Sequence, residues 1–207
     1  MNSHRVVTRA AAVLAVHRKR ARARGFSLTE LMAVVVIMGI LAALGISAFS
    51  RKAKESNVSN AIVVVKAIAV AEEHYRAENQ AYLNVSSSNS AWYPAPSVPG
   101  NKRISFWRAA VDAGSDTETG NWRRLAPDIR QPVQFGFLAN AGLPTAAPTA
   151  ALASDFTGKV ALPTGVGSTN EPWYLIQART DADGDSIISG VVAASWTPQI
   201  LTFNEGE

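Results

Sequence analysis

GFSLTELMAVVVIMGILAALGISAF, residues Gly25 to Phe49, is the stretch on which the reading of this chain turns. From Phe26 to Phe49 only Glu30 is charged. As a helix rising 1.5 Å per residue, the segment reaches roughly 36 Å, enough to cross a hydrocarbon core of about 30 Å. Ahead of it, residues 1–25 hold seven Lys/Arg (Arg5, Arg9, Arg18, Lys19, Arg20, Arg22, Arg24) and no acidic residue, while Arg51, Lys52 and Lys54 follow it. This asymmetry places residues 1–25 in the cytoplasm and exports the chain after about residue 50.

Of 207 residues, 47% are hydrophobic, so the material for a core is present and disorder throughout is excluded. The formal charge of +4 comes from the leader: residues 26–207 carry thirteen basic and sixteen acidic residues, a net −3. Cysteine is absent, which excludes a disulfide framework, a thiolate metal site and cysteine catalysis.

A secretory signal peptide, with Ala42-Ala43-Leu44-Gly45 or Ser47-Ala48 imitating a cleavage site, and a plain single-span anchor are the competing readings of the apolar run. Neither accounts for Glu30, because a carboxylate within hydrocarbon is costly and needs a partner. Cleavage after Gly25 would supply one. The new α-amino group of Phe26 would lie about one helical turn from the carboxylate, and amine and acid could neutralise each other between adjacent chains in a fixed axial register.

Gly25-Phe26-Ser27-Leu28-Thr29-Glu30-Leu31-Met32, continued by Val34-Val35-Val36-Ile37-Met38-Gly39-Ile40-Leu41-Ala42-Ala43, resembles the N-terminal signature of type IV prepilins and of the related type II secretion pseudopilins. The resemblance implies that a prepilin peptidase removes the leader after Gly25 and methylates the new N-terminal Phe26. It implies that Glu30 serves subunit registration, and that the precursor waits in the inner membrane until an assembly platform adds it to identical or related subunits. The 25-residue leader is long for this family, and Ser47 stands where many major pilins have a helix-kinking proline.

Beyond the membrane, Val58, Ala61/Ile62, Val65, Ile68/Ala69 and Tyr75 recur every three or four residues, with Lys54, Glu55, Asn60, Lys66, Glu73 and Arg76 on the polar side. No proline precedes Pro94. One helix is predicted from about 26 to 80, roughly 80 Å long. Strands are predicted at Val133–Leu138, Trp173–Arg179, Ser186–Ala193 and Gln199–Phe203. Residues 81–100 read as a Ser/Asn/Pro-rich connector, 102–130 as a short helix with loops, and 139–172 as a long loop. The expected organisation is a cleaved leader (1–25), a transmembrane and filament-core half-helix (26–53), an amphipathic half-helix (54–80) and an exported loop-rich and sheet portion (81–207). Its fold class is α+β and pilin-like, with the second half of the helix packed on a small antiparallel sheet.

Lys102, Arg103 and Arg108 around Phe106 and Trp107, with Arg123, Arg124 and Arg130 after Trp122, have the ingredients of a base-stacking patch. The simpler expectation is that the aromatics face inward and the arginines are solvated, so nucleic acid is disfavoured as a partner. Asp181, Asp183 and Asp185 offer oxygen ligands to calcium, but Gly184 falls at the fourth position of the run and the closing glutamate of an EF-hand is missing, so an Asp-Gly hairpin is the simpler reading. No cofactor is required. His74 is the only histidine outside the leader, and no phosphate loop, HExxH or Ser-His-Asp pattern is present, which disfavours an enzyme. The function expected is a structural subunit of a type IV pilus or pilus-like filament, extracellular or periplasmic once assembled. A minor pilin or secretion pseudopilin is the near alternative, and a membrane-anchored enzyme or binding module the distant one.

Overall fold

In the computed structural model, the described residues are 25–94, 102–107, 117–144, 152–162, 170–181 and 184–205; the expected leader lies outside them. The chain divides at Ala43/Leu44 into two units. Helix α1, Leu28–Asn79, runs through the division. It begins two residues later than predicted because Ser27 caps it, and it ends where Gln80 takes a left-handed φ of 60° and donates its N–H to the Arg76 carbonyl.

The second half of α1 has an apolar face. Val58, Ala61, Val64, Val65, Ile68 and Ala71 are buried at helical spacing. They join one core with alternate residues of a four-stranded sheet: Phe137 and Ala139, Tyr174, Ile176 and Ala178, and Val191 and Ala193. The strands β1 (Gly136–Gly142), β2 (Trp173–Thr180), β3 (Ser189–Ala194) and β4 (Thr197–Phe203) are ordered as in the sequence, each antiparallel to the next. Register is set by pairs such as Leu138↔Gln177 and Ala178↔Val191, with an irregularity between Val192 and Ala194.

Strand β1 begins later than predicted. Val133 is drawn into an isolated bridge with Ile104, whereas Ala139-Asn140-Ala141-Gly142, weak in strand propensity, is held extended by pairing with Trp173–Ile176. Tertiary pairing overrides propensity here.

The opposite face of the sheet is also covered. Leu138, Trp173, Leu175, Val192 and Ala194 pack with Trp92, Ala153 and Phe156 in a second core. Phe156 belongs to a short 3-10 turn, Ser154–Phe156, within the stretch read from sequence as loop. Gln177, buried at the centre of β2, accepts the Ala153 N–H at 2.8 Å, and Arg179 pairs with Asp155 while lying 4.4 Å from the Trp92 ring centroid. The sheet is therefore sandwiched between α1 and this loop, which explains the nearly continuous burial of β2 and β3.

A Cβ at Gly190 would collide with the Phe203 ring and come within 3.0 Å of Phe156. Gly190→Val is expected to cost about 1–3 kcal/mol through overpacking. A thermal melt of the detergent-solubilised chain reads this as a lower midpoint; an unchanged midpoint would contradict the tight Gly190–Phe203 contact.

A third element, α2 (Thr117–Leu125), is too short to be stable alone and is docked by Trp122. The Trp122 ring stacks on Tyr93, centroids 5.4 Å apart, and meets Phe106 edge-on at 5.3 Å. Asn121 adds a bond from its Nδ2 to the Val85 carbonyl at 3.0 Å.

Candidate functional site

Ser27-Leu28-Thr29-Glu30 forms a reciprocal capping box. The Glu30 N–H donates to Ser27 Oγ at 3.2 Å, and Glu30 Oε2 accepts from the Ser27 N–H at 2.8 Å and from Ser27 Oγ at 3.0 Å. The Ser27 carbonyl takes the Leu31 N–H at 3.2 Å, so Ser27 is the N-cap residue. Gly25 and Phe26 precede the helix in exposed, non-helical backbone. The Gly25–Phe26 bond thus lies just outside the helix.

Sequence reasoning singled out Gly25, Phe26 and Glu30 but gave Glu30 only a partner from another chain. The structure gives it an intrachain one as well, through Oε2, while neither Ser27 bond uses Oε1. The S-x-x-E spacing was available in the sequence as the signal for this box. Phe26 stands before the helix rather than on its first turn.

Starting within the box, Leu28–Ile46 has a mean hydropathy of 2.3, and none of its residues is buried among the described residues. It is long and apolar enough to cross a membrane. Phe26, Leu28, Leu44, Ile46 and Phe49 are each more than two-thirds exposed. A side chain at Gly39 or Gly45 would meet nothing within 4 Å, so no contact among the described residues requires glycine at either position.

The C-terminal end of α1 is fastened by a polar cluster. Tyr82 Oη donates to Glu73 Oε1 at 2.8 Å and accepts from Arg76 Nη1 at 2.9 Å, and Arg76 Nη2 reaches Glu171 Oε2 at 3.3 Å. Beside it, Glu72 is fully buried; its Oε2 accepts the Leu83 N–H at 2.9 Å, and its Oε1 has no partner among the described residues. Burial pushes this carboxyl up to about 8, against the pull of the Leu83 bond. Burial likewise raises the Tyr174 phenol to about 12. Sequence reasoning missed Glu72, because next to Glu73 it reads as part of a solvated face.

Among the remaining candidates, Phe106 and Trp122 are 1% and 0% exposed, so neither can stack a base. His74 is exposed. In the acidic turn, Asp181 spends both carboxylate oxygens on the N–H groups of Gly184 (2.8 Å) and Ser186 (3.1 Å), and Asp185 Oδ1 accepts from Ile187 N–H at 2.7 Å. Asp183 lies outside the described residues, and among those described no group of three or more metal-ligating side chains occurs. Gly184, at φ 82°, supplies the left-handed backbone that the turn requires.

The family described as the prokaryotic N-terminal methylation motif matches residues 20–46, which contain the capping box and most of the apolar segment. The chain is 36% identical over 89 residues to the type II secretion system core protein G of Pseudomonas aeruginosa, covering 43% of this chain and 61% of that protein. It is 32% identical over 85 residues to the protein of the same name from Klebsiella michiganensis, covering 41% and 60%. It is also 41% identical over 72 residues to the type IV major pilin protein PilA of Myxococcus xanthus, covering 35% and 33%. The chain therefore spans about 60% of the length of the two secretion proteins and a third of that of the pilin. No solved structure matches it. With the methylation motif at the head of an apolar helix, relatives of both kinds and a small antiparallel sheet on the helix's second half, the chain is similar to pilins and pseudopilins in sequence signature and in architecture.

Proposed function

We infer that the chain is a structural subunit of a type IV pilus or pilus-like filament, made as an inner-membrane precursor, cut after Gly25 by a prepilin peptidase and polymerised through the apolar half of α1. One observation carries this reading most directly: a long apolar helix segment, with none of its residues buried among the described residues, begins with a carboxylate held at its first turn. Lipid covers such a surface before assembly and neighbouring helices cover it afterwards. Gly39 and Gly45, which no contact among the described residues explains, suit close approach of those helices.

In this reading Glu30 acts twice. Its Oε2 holds the start of the helix through Ser27, and Oε1 receives the Phe26 amine of an adjacent subunit, so that only copies in the correct axial register satisfy both charges. Assembly calls for no cofactor, and the partners are the peptidase, the membrane, the assembly platform and other subunits.

The secretion-pseudopilin form of this function is favoured by one finding: the match to the two secretion proteins extends over 89 and 85 residues, against 72 for the pilin. Mass spectrometry of the N-terminal peptide from membrane and sheared-filament fractions tests the proposal. A peptide beginning at N-methylated Phe26 is expected. Abundance in the sheared fraction identifies a major pilin, and confinement to the envelope identifies a minor pilin or pseudopilin. An intact leader, or cleavage near Ala48, would sink the filament reading.

Two variants separate the steps. Substituting Gly25 is expected to leave the leader in place. Glu30→Ala removes a charge-assisted contact worth about 1.5–3 kcal/mol, so assembled subunit should fall about tenfold or more while precursor accumulates normally. Unchanged filament yield in Glu30→Ala would refute the registration role.

A further inference from the structure

Within the unit that begins at Leu44, the outer side of α1 is not uniformly polar. Val63 and Val70 are each 57% exposed, and seven residues apart they lie on one face. Beside them runs a groove of about 530 Å³ with Ala67, Val70, Ala71 and Leu125 on its floor and Lys66 at its edge, reaching His74. Past Ala67 and Asp128 it continues into a depression of about 250 Å³ bounded by Val63 and Arg130. Asp128 is paired with Arg130 at 2.8 Å, which among the described residues lining the groove leaves Lys66 as the fixed charge without an ion-pair partner. Arg123 and Arg124, exposed on α2 next to Leu125, add to the positive field.

The β2–β3 turn has the complementary character. From Asp181 to Ser189 it contains no basic residue. Ile187 is 43% exposed beside the exposed Asp185, an apolar tip with a negative flank. The bonds from Gly184 and Ser186 to Asp181, and from Ile187 to Asp185, hold the tip in one shape.

Turn and groove lie apart along the helix. Thr180, which leads into the turn, donates to the Gln134 carbonyl at 3.2 Å, and Gln134 lines a small cavity with Asn57. The turn is therefore at the Asn57 end of this stretch of α1, whereas the groove runs from Val63 to His74. From Asn57 to Val70 the helix rises about 20 Å. A contact between two different patches is heterologous: it repeats from copy to copy instead of pairing two copies face to face, and where its rotation does not close it generates an open filament.

We propose that the Val63–His74 groove receives the Asp185–Ile187 turn of a second copy of this chain, with Ile187 on the apolar floor and Asp185 against Lys66. The proposal rests on the filament-subunit reading and adds to it a second axial contact, made by the exported units.

Because the chain has no cysteine, introduced thiols report this contact without background. The full-length double variant Val70→Cys/Ile187→Cys, treated in cells with a short bis-maleimide, is expected to give a ladder of dimers, trimers and higher species on a denaturing gel. Either single variant should give none. Dimers from Val70→Cys alone, as strong as those from the double variant, would mean that the groove faces itself and would overturn the proposal. Absence of a ladder from filaments containing the double variant would do the same.

Charge exchange provides an independent arm. Lys66→Asp should lower filament yield about tenfold, and adding Asp185→Lys should restore it to within about twofold, since the pair is then re-formed with reversed sign. Failure of the second change to rescue the first overturns the proposal. Absence of filaments from the unsubstituted chain would strike the filament reading itself, and the ladder, read in membranes, separates that outcome from failure of the docking contact.

Discussion

Replacing Trp122 by alanine is expected to destabilise the unit that begins at Leu44 by about 3–5 kcal/mol, a large share of the stability of any single domain. The ring is fully buried between Tyr93 and Phe106, and it is the main anchor of α2, a nine-residue helix with little stability of its own. Its removal leaves a cavity that cannot collapse without moving both neighbouring rings. Trp122→Phe should be much milder, about 1 kcal/mol, because the indole Nε1–H has no partner among the described residues and phenylalanine removes this buried donor along with some volume. Denaturant unfolding of the solubilised chain distinguishes the two. Equal losses would mean that Nε1 is satisfied and that the hydrogen bond, not ring packing, holds the helix.

The second large effect concerns pH and Glu72. Its carboxyl is raised from an ordinary 4.5 to about 8 by burial, so between these values the folded protein holds a proton that the unfolded chain releases. Stability is thus fully present below about pH 4.5, declines as pH rises through the interval and levels off above about pH 8. At 1.36 kcal/mol per unit, the decline is on the order of 3–5 kcal/mol. Glu73 on the same helix reinforces it by raising the carboxyl further, while Tyr174 on β2, whose phenol burial and both acids push up to about 12, stays neutral across the interval.

Glu72→Gln keeps an acceptor for the Leu83 N–H and cannot ionise. The variant should match the unsubstituted chain near pH 4.5, exceed it by several degrees in melting temperature at pH 8, and lose most of the slope between. A slope that survives the substitution would assign the pH dependence to other groups.

Much of the candidate site was legible in the sequence because its signals are local. The basic run, Gly25, Phe26, Glu30 and the apolar segment follow one another within fifty residues, and the capping box is a four-residue pattern. Helix α1 was equally legible, since a repeat of three to four residues sustained over several turns allows one conformation. Strands β2, β3 and β4 were found through their β-branched and aromatic residues, with ends displaced by up to three positions at the start of β3.

Glu72 was not legible. Whether a carboxylate between Ala71 and Glu73 meets water depends on what passes over that turn of the helix, and here Leu83, eleven residues later, brings an N–H to it. Nor did a loop rich in Pro and Gly announce that Ala153 and Phe156 would close the second face of the sheet.

The sequence by itself determined the apolar helix and the S-x-x-E pattern at its start, because helical period and cap spacing are properties of consecutive residues. Only the tertiary structure decided that β1 starts at Gly136, that the sheet is covered on both faces, that Glu72 is buried and that Val63 and Val70 remain exposed beside a groove. Each of these depends on which distant segment arrives to remove a surface from water, and hydrophobic burial, being non-directional, leaves no local mark of its partner.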